Sequence, residues 1–194
     1  MKENMPNLTR KTTIITLSFL IVAVAALAIL AMGHVPICKC GYVKLWHGMP
    51  VSSENSQHLS DWYSFSHVIH GFAFYAILWL IPWTRRMPWG AKFLIALGVE
   101  SGWEIFENTD FVINRYRETT ISLDYYGDSV INSVFDILFM VVGYVAAAKW
   151  PIWTIVALTI FMELLTLYYI RDNLALNIIM LLYPSEAILK WQSG

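Results

Sequence analysis

Charged residues are scarce in this sequence of 194 residues, where Asp, Glu, Lys and Arg together make up only 14%. A soluble domain normally carries about 25%. So few charges would not cover the surface of a water-soluble globule, and hydrophobic residues reach 57%. Because the apolar residues come in long runs, we predict a membrane protein whose solvent and partner is the lipid bilayer.

A basic surface is also missing. The formal net charge is −1, which excludes the broad positive patch that nucleic-acid binding requires, so no nucleic-acid partner is predicted. The sequence has no visible internal repeat of about 20–50 residues. It therefore gives no support for the inverted repeats on which many transporters are built.

Only two cysteines occur, and one residue separates Cys38 from Cys40. In an oxidising compartment such a pair is read as a disulfide or as inert thiols. A metal-binding or redox role is the alternative. The sequence leaves both open.

The hydropathy pattern predicts an all-α fold: one polytopic transmembrane helix bundle, formed by residues 1–194 as a single membrane domain. Five full spans are expected, followed by a sixth span or a re-entrant or interfacial helix. Polar loops are expected at 33–62 and 111–127. The predicted segments are Ile14–Met32, Tyr63–Trp83, Gly90–Asp110, Asp128–Ala148, Ile152–Ile170 and, for the sixth, Leu174–Trp191.

The basic residues Lys2, Arg10 and Lys11 precede the first apolar run. A cleaved signal peptide is one interpretation, because Ala26-Leu27-Ala28 resembles a cleavage site. The run continues past that point to spanning length, which favours a retained first helix. The modest excess of Lys and Arg then places the N-terminus in the cytoplasm of a bacterium, and both long loops on the periplasmic side of its inner membrane.

Four acidic residues interrupt the predicted spans: Glu100, Glu104, Asp136 and Glu163. Each costs about 2.5–3.5 kcal/mol near a helix centre unless it is paired, protonated or hydrated. One such acid is explained by local hydrogen bonding. Several acids at similar depths on different helices instead predict a shared polar site, narrowing like a funnel from the periplasmic side.

Helical spacing places these polar residues on common faces, since residues three or four apart share a side of a helix. The glycines Gly98, Gly102 and Gly143 are expected to let helices approach closely. The three polar faces are Glu100, Glu104 and Glu107; Asp128, Asn132 and Asp136; and His67 with His70.

Two kinds of chemistry fit these faces. His67, His70, Glu100 and Glu104 form a ligand set for a divalent metal such as zinc, manganese or iron. Alternatively, carboxylates such as Glu104 and Asp136, with Asp128 nearer the mouth, serve as acid and base catalysts. Beside Asn132, three arginines at the mouth are candidates for binding a phosphate or lipid headgroup, or simply neutralise the acids: Arg115, Arg117 and Arg171.

Five stretches of the chain resemble a family of uncharacterised multi-pass membrane proteins found mainly in alphaproteobacteria and classed as a domain of unknown function. The resemblance covers essentially the whole chain and implies an inner-membrane location. The stretches are CGYVKLWHG, SSENSQHLSDWYSFSHVIHG, SGWEIFENTDFVINRYRE, SLDYYGDSVINSVFD and RDNLALN.

The middle of the chain is also similar to VanZ-like proteins, which are linked to glycopeptide resistance and the cell envelope. That resemblance assigns roles to Glu104, Arg115 or Arg117, Asp124 and Asn132, and makes Asp124 a further candidate catalytic residue. A fainter resemblance to lipoprotein signal peptidases rests on the segment from Asn132 to Asp136. There the spacing is one residue too long and a second aspartate motif is not clear.

These sequence features are compatible with three alternative functions. The first is a membrane-embedded enzyme acting on an envelope lipid, a lipid-linked intermediate or a membrane peptide. The second is a structural or assembly subunit whose acids pair with cations of a membrane-protein partner. The third is a small transporter of an ion or metal.

Overall fold

The computed structural model describes residues 8–120 and 123–194, and within those ranges it has nine helices and no strand. The predicted all-α class is confirmed. Lys2, on which the orientation of the first helix partly rests, lies outside the described residues. The helices are α1 (Leu8–Ala31), α2 (Ser64–Leu80), α3 (Pro82–Arg85), α4 (Trp89–Glu107), α5 (Asp110–Thr119), α6 (Val130–Lys149), α7 (Ile152–Ile170), α8 (Leu174–Leu182) and α9 (Glu186–Gln192).

Three of the described helices are long and apolar enough to cross a bilayer: α1 from Lys11, α6 and α7. Helix α2 is apolar but has only 17 residues. Helix α4 has 19 residues, among them one lysine and three glutamates. The structure therefore supports a membrane protein, whereas the expected number of five full spans stays a prediction.

The segment 174–191, expected as a sixth span or as a re-entrant or interfacial helix, is not one continuous helix. The segment divides into α8, with 9 residues, and α9, with 7 residues. Pro184 lies in the break and lacks the N–H that a continuing helix needs. Neither piece by itself reaches the roughly 20 residues of a full span, so the choice between a sixth span and a re-entrant or interfacial segment stays a prediction.

The segment 111–127 is not wholly a loop, because its first half, up to Thr119, belongs to α5. Thr109 begins this helix, and its side chain accepts a hydrogen bond from the Val112 N–H. Asp110 in the first turn and Arg117 in the last suit the helix dipole. The charges that indicated a loop therefore lie on a short polar helix, which buries Val112, Ile113 and Tyr116.

Helices α2 and α6 form the most closely packed pair, and two glycines make this possible. A Cβ atom on Gly71 would lie 2.2 Å from the Met140 carbonyl oxygen, and one on Gly143 would lie 2.1 Å from the Val68 carbonyl oxygen. Gly143 therefore has the predicted role. Gly98 and Gly102 do not, because a Cβ on either would meet nothing within 4 Å.

A hydrophobic core forms where α1, α2, α4 and α6 pack together. Ile137, Met140 and Tyr144 of α6 are fully buried there against Ala96 of α4 and Ala25 of α1. This dry packing holds the helices that carry the polar residues at fixed positions relative to one another.

The segment 33–62 is a folded cap, and it covers the N-terminus of α6. The Ser129 N–H donates to the Ser56 carbonyl, the Val130 N–H to Val35, and the Ile131 N–H to Pro36. These bonds satisfy N–H groups that have no partner inside the helix. The long loop thus pairs with the segment before α6, and both lie at one end of the bundle.

Candidate functional site

Two histidines on α2 meet a glutamate on α4 inside the bundle. His67 Nδ1 lies 2.7 Å from Glu100 Oε1, and His70 Nδ1 lies 3.1 and 3.2 Å from the two Glu100 oxygens. The spacing of three residues places both rings on one face of α2. Glu100 is 0% exposed. Of the predicted metal ligands, these three are brought together.

The carboxyl groups of Glu104 and Asp136 also lie near the imidazole ring of His67. His67 Nδ1 lies 3.3 Å from Glu104 Oε1 of α4, and its Nε2 lies 3.9 Å from Asp136 Oδ2 of α6. Ser64 is within hydrogen-bond distance of Asp136 Oδ1, at 3.3 Å. His67 is therefore the centre of the cluster, with carboxylates from two helices around it.

Asp128 lies closer to the capped end, at the start of α6. Asn108 is its main partner: the Asn108 side-chain amide donates to Asp128 Oδ2 at 3.0 Å, and the Asp128 N–H donates to Asn108 Oδ1 at 2.7 Å. The Tyr125 hydroxyl donates to Asp128 Oδ1 at 2.9 Å. Burial raises the pKa of Asp128 although these hydrogen bonds oppose the shift.

Asp61, which the sequence patterns did not single out, lies next to the cluster just before α2. It is 2% exposed. Its carboxylate accepts from the N–H groups of Ser56, at 3.0 Å, and Tyr63, at 2.8 Å. Burial raises the pKa of Asp61, and the nearby Asp128 adds to that shift. A lone aspartate in a polar loop carries no periodic signal, so only the fold of the 33–62 cap reveals it.

A cavity of about 430 Å³ opens beside these groups, and its lining combines polar and apolar side chains. The described residues that line it include no Lys or Arg. The ionisable side chains in the lining include His67, His70, Glu107, Asp128 and Asp136, and the apolar ones include Phe74, Val99, Trp103, Leu174, Ile178 and Leu181.

Helix α5 closes one flank of the cavity. The Tyr116 hydroxyl lies 2.9 Å from Glu107 Oε1 and 3.0 Å from Asn177 Oδ1, so it joins α4 to α8. Sequence reasoning missed Tyr116 because its segment was expected to be a loop, and Asn177 because it is a single polar residue in an apolar segment.

The three predicted anion-binding arginines do not line the cavity. Each donates to a backbone carbonyl: Arg115 to Leu181 at 3.0 Å, Arg117 to Tyr125, and Arg171 to Trp191 at 3.3 Å. They connect the short helices and loops around the site. Their placement gives no support for a phosphate held by arginine inside the cavity.

Three other predicted residues also lie apart from the cluster. Asp124 is exposed. The Asn132 side-chain amide donates to the His58 carbonyl at 2.9 Å and so ties α6 to the cap. Glu163 accepts from the N–H groups of Leu174 and Ala175, both at 3.1 Å, and caps α8. This capping role explains why an acidic residue occurs at this position of α7.

Cys38 and Cys40 are joined by a disulfide. Glu54 lies near them in the cap, 2.6 Å from Lys44 Nζ and 3.0 Å from His58 Nε2. The bond with Lys44 is the main reason that the pKa of Glu54 falls to about 2. These contacts join residues of the cap to one another rather than to His67 and its neighbours.

The family comparison is unambiguous. A family model described as a protein of unknown function, DUF2585, matches residues 29–194. A UPF0314 protein of Paracoccus denitrificans is 56% identical over 186 residues, which cover 96% of this chain and 95% of the relative.

Two further relatives have the same name. A UPF0314 protein of Rhizobium etli is 57% identical over 163 residues, covering 84% of this chain and 83% of the relative. One from Sphingopyxis alaskensis is 53% identical over 175 residues, covering 90% and 92%. No solved structure matches. The chain therefore belongs to the DUF2585 family, the UPF0314 proteins of alphaproteobacteria.

Proposed function

We propose that this protein is a multi-pass enzyme of the bacterial inner membrane whose cavity faces the periplasm and acts on an envelope lipid, a lipid-linked intermediate or a membrane peptide. One observation carries the proposal. His67 lies between Glu104 and Asp136, and His67 and Asp136 line a cavity whose lining combines acids and histidines with apolar side chains. A site of this kind offers acid–base chemistry on a polar group together with apolar surface that suits a lipid chain.

The roles follow from the contacts. His67 Nε2 lies 3.9 Å from Asp136 Oδ2, a separation that one water molecule can bridge. Asp136 also lines the cavity and is therefore the carboxyl group that meets the substrate. We assign Asp136 the direct acid–base role. His67 orients its carboxyl group through that water, and Glu104 is a second buried carboxylate beside the same imidazole.

The acidic side chains of the cavity limit which classes of substrate can bind there. Its acidic lining would repel a bare phosphate, and none of the described cavity residues is Lys or Arg. A neutral or cationic headgroup, or a peptide bond, fits this lining directly. A phosphate-bearing lipid would need a cation bound beside the acids.

The assembly-subunit alternative has less support from the geometry. That function needs acids on a surface where a partner's cations reach them. Glu100 and Glu104 are each 0% exposed, and Asp136 is 5% exposed. These groups face the interior of this chain rather than an outer surface that a partner would contact.

The test combines gene deletion with profiling of envelope lipids and lipid-linked intermediates by mass spectrometry. We expect the deletion strain to accumulate one amphiphilic species, and wild-type protein to restore the normal profile. Asp136→Asn should fail to restore it although the protein accumulates and unfolds at the wild-type temperature. Asp110→Asn, which changes an exposed acid on α5, is the matched control and should restore it fully.

An unchanged lipid profile in the deletion strain, or full restoration by Asp136→Asn, would contradict the proposed enzyme. Co-purification of a stoichiometric membrane partner in that case would favour the assembly role. The prediction drawn from VanZ-like proteins is tested in the same strain by Asp124→Asn. Because Asp124 is exposed, we expect this variant to restore the profile.

A further inference from the structure

Three side chains of α2 and α4 present donor atoms at metal-ligand spacing. The donor atoms of His67, His70 and Glu100 all lie within 4.8 Å of one another. The cluster is well shielded, with side-chain exposures of 9% for His67, 18% for His70 and 0% for Glu100. Two imidazoles and one carboxylate are a donor set typical of catalytic zinc sites and of iron sites with open positions.

A second observation points independently to a missing ligand. Glu104 is 0% exposed, and neither of its carboxylate oxygens has a hydrogen-bond partner among the described residues. Buried polar atoms in folded proteins nearly always have partners, because removing them from water is unfavourable otherwise. Glu104 Oε1 lies only 3.3 Å from His67 Nδ1, so these unpartnered oxygens are directed at the same cluster.

The carboxylates grouped around His67 also favour binding of a cation. Among the described residues, no Lys or Arg forms an ion pair with the carboxylates of α4 and α6, which lie instead beside the two histidines. Another acid, Glu107, belongs with His67 and Glu104 to an overlapping group of candidate ligands. A divalent ion would offset several of these negative charges at once.

We propose that His67, His70 and Glu100 bind one divalent transition metal, and that Glu104 accepts a hydrogen bond from the water that completes its coordination. Three protein ligands and one water form the pattern of catalytic zinc sites. Imidazole donors favour Zn²⁺, Fe²⁺ or Mn²⁺ over Mg²⁺ and Ca²⁺. Binding of the metal does not depend on the proposed function. A catalytic role for the metal, as an activator of water or as a ligand of a substrate oxygen, rests on the proposed function.

The experiment uses the full chain purified in detergent. Zn²⁺ and Co²⁺ are titrated into metal-stripped protein, bound metal is measured by elemental analysis, and the Co²⁺ complex is followed by its visible spectrum. We expect one metal ion per chain. His70→Ala and Glu100→Gln should weaken binding by roughly tenfold or more, since each removes a ligand.

His47→Ala is the matched control, because His47 is a buried histidine, 5% exposed, that belongs to the cap. It should bind one ion with unchanged affinity. Glu104→Gln should keep the stoichiometry and change the Co²⁺ spectrum, a readout that does not depend on loss of binding. Every variant is compared with wild type by thermal unfolding, so that a folding defect is separated from loss of a ligand.

Wild-type protein that binds no Zn²⁺ or Co²⁺, or ligand variants that bind as well as His47→Ala, would overturn the metal site. The two proposals fail in different ways. A metal-free protein whose Asp136→Asn variant still does not restore the lipid profile leaves the proposed enzyme standing. If the protein binds one metal ion but the deletion strain has an unchanged lipid profile, the metal site is supported and the proposed enzyme is contradicted.

Discussion

Asp172, between α7 and α8, is a single residue whose surroundings give a definite pH response. It is 1% exposed, and its carboxylate accepts from Tyr63, Asn173 and Gln192 at 3.1, 2.9 and 3.0 Å. Burial raises its pKa from 3.8 to about 6 despite these bonds. The folded state therefore holds the proton more tightly than the unfolded chain does.

The sign of the effect follows from linkage. Because the pKa is higher in the folded state, the contribution of Asp172 to stability is most favourable below about pH 4 and declines as the pH rises to about 6. Asp172→Asn should remove this part of the pH dependence, which is on the order of 3 kcal/mol. The unfolding temperature in detergent, measured from pH 4 to pH 7.5, checks the prediction. Equal slopes for wild type and variant would contradict it.

Glu163 and Asp61 show why sequence patterns assign buried acids imperfectly. Glu163 was placed in the shared site because it interrupts an apolar run, yet it caps α8 through two backbone N–H groups. Asp61 was passed over because it lies in a loop, yet it is 2% exposed beside the cluster. An acid's partner is set by where distant segments fold back, which local hydropathy does not encode.

At the level of helices, the α2–α6 contact determines where His67 and Asp136 meet. Gly71 and Gly143 make this contact close enough for backbone to meet backbone. A glycine in an apolar helix is visible in the sequence. Which glycines form a contact is not visible, and Gly98 and Gly102 of α4 have no such neighbour.

Gly143→Ala should separate α2 from α6, because the added methyl would lie 2.1 Å from the Val68 carbonyl oxygen. We expect a loss of about 1–3 kcal/mol in unfolding free energy, together with weaker metal binding, because a shift of α2 moves His67 and His70 relative to Glu100. Gly98→Ala is the control, since its methyl would meet open space and alanine favours helix by up to about 1 kcal/mol.

Thermal unfolding in detergent measures both variants. An unfolding temperature for Gly143→Ala equal to that of Gly98→Ala would show that the close contact of α2 and α6 does not hold in the membrane protein.

For the whole molecule, the main consequence of the fold is that one end is polar and capped. The 33–62 cap, α5 and the segment before α6 meet there, as shown by the bonds from Gln57 to the Gly127 carbonyl at 2.8 Å and from Val130 to the Val35 carbonyl at 2.9 Å. The cavity is lined by residues of this same end. The side of the membrane that this end faces therefore decides which compartment supplies the substrate.

Cysteine labelling tests the proposed periplasmic orientation. Met49, Leu123 and Trp83 are 64%, 71% and 66% exposed, and the native cysteines are paired. A membrane-impermeant maleimide applied to intact spheroplasts should label Met49→Cys and Leu123→Cys. Trp83→Cys, at the opposite end, should react only after permeabilisation. The reverse pattern would place the cavity on the cytoplasmic side.

The sequence by itself determined the helical class, the apolar character and the shared faces of His67 with His70 and of Glu100 with Glu104, because these depend on residues a few positions apart. Only the tertiary structure decided that Asp61 joins the site, that Glu163 and Arg115 serve neighbouring backbone, and that α8 and α9 are separate. Those outcomes depend on contacts between residues far apart in the chain, where hydrogen-bond partners and close packing are settled by the fold as a whole.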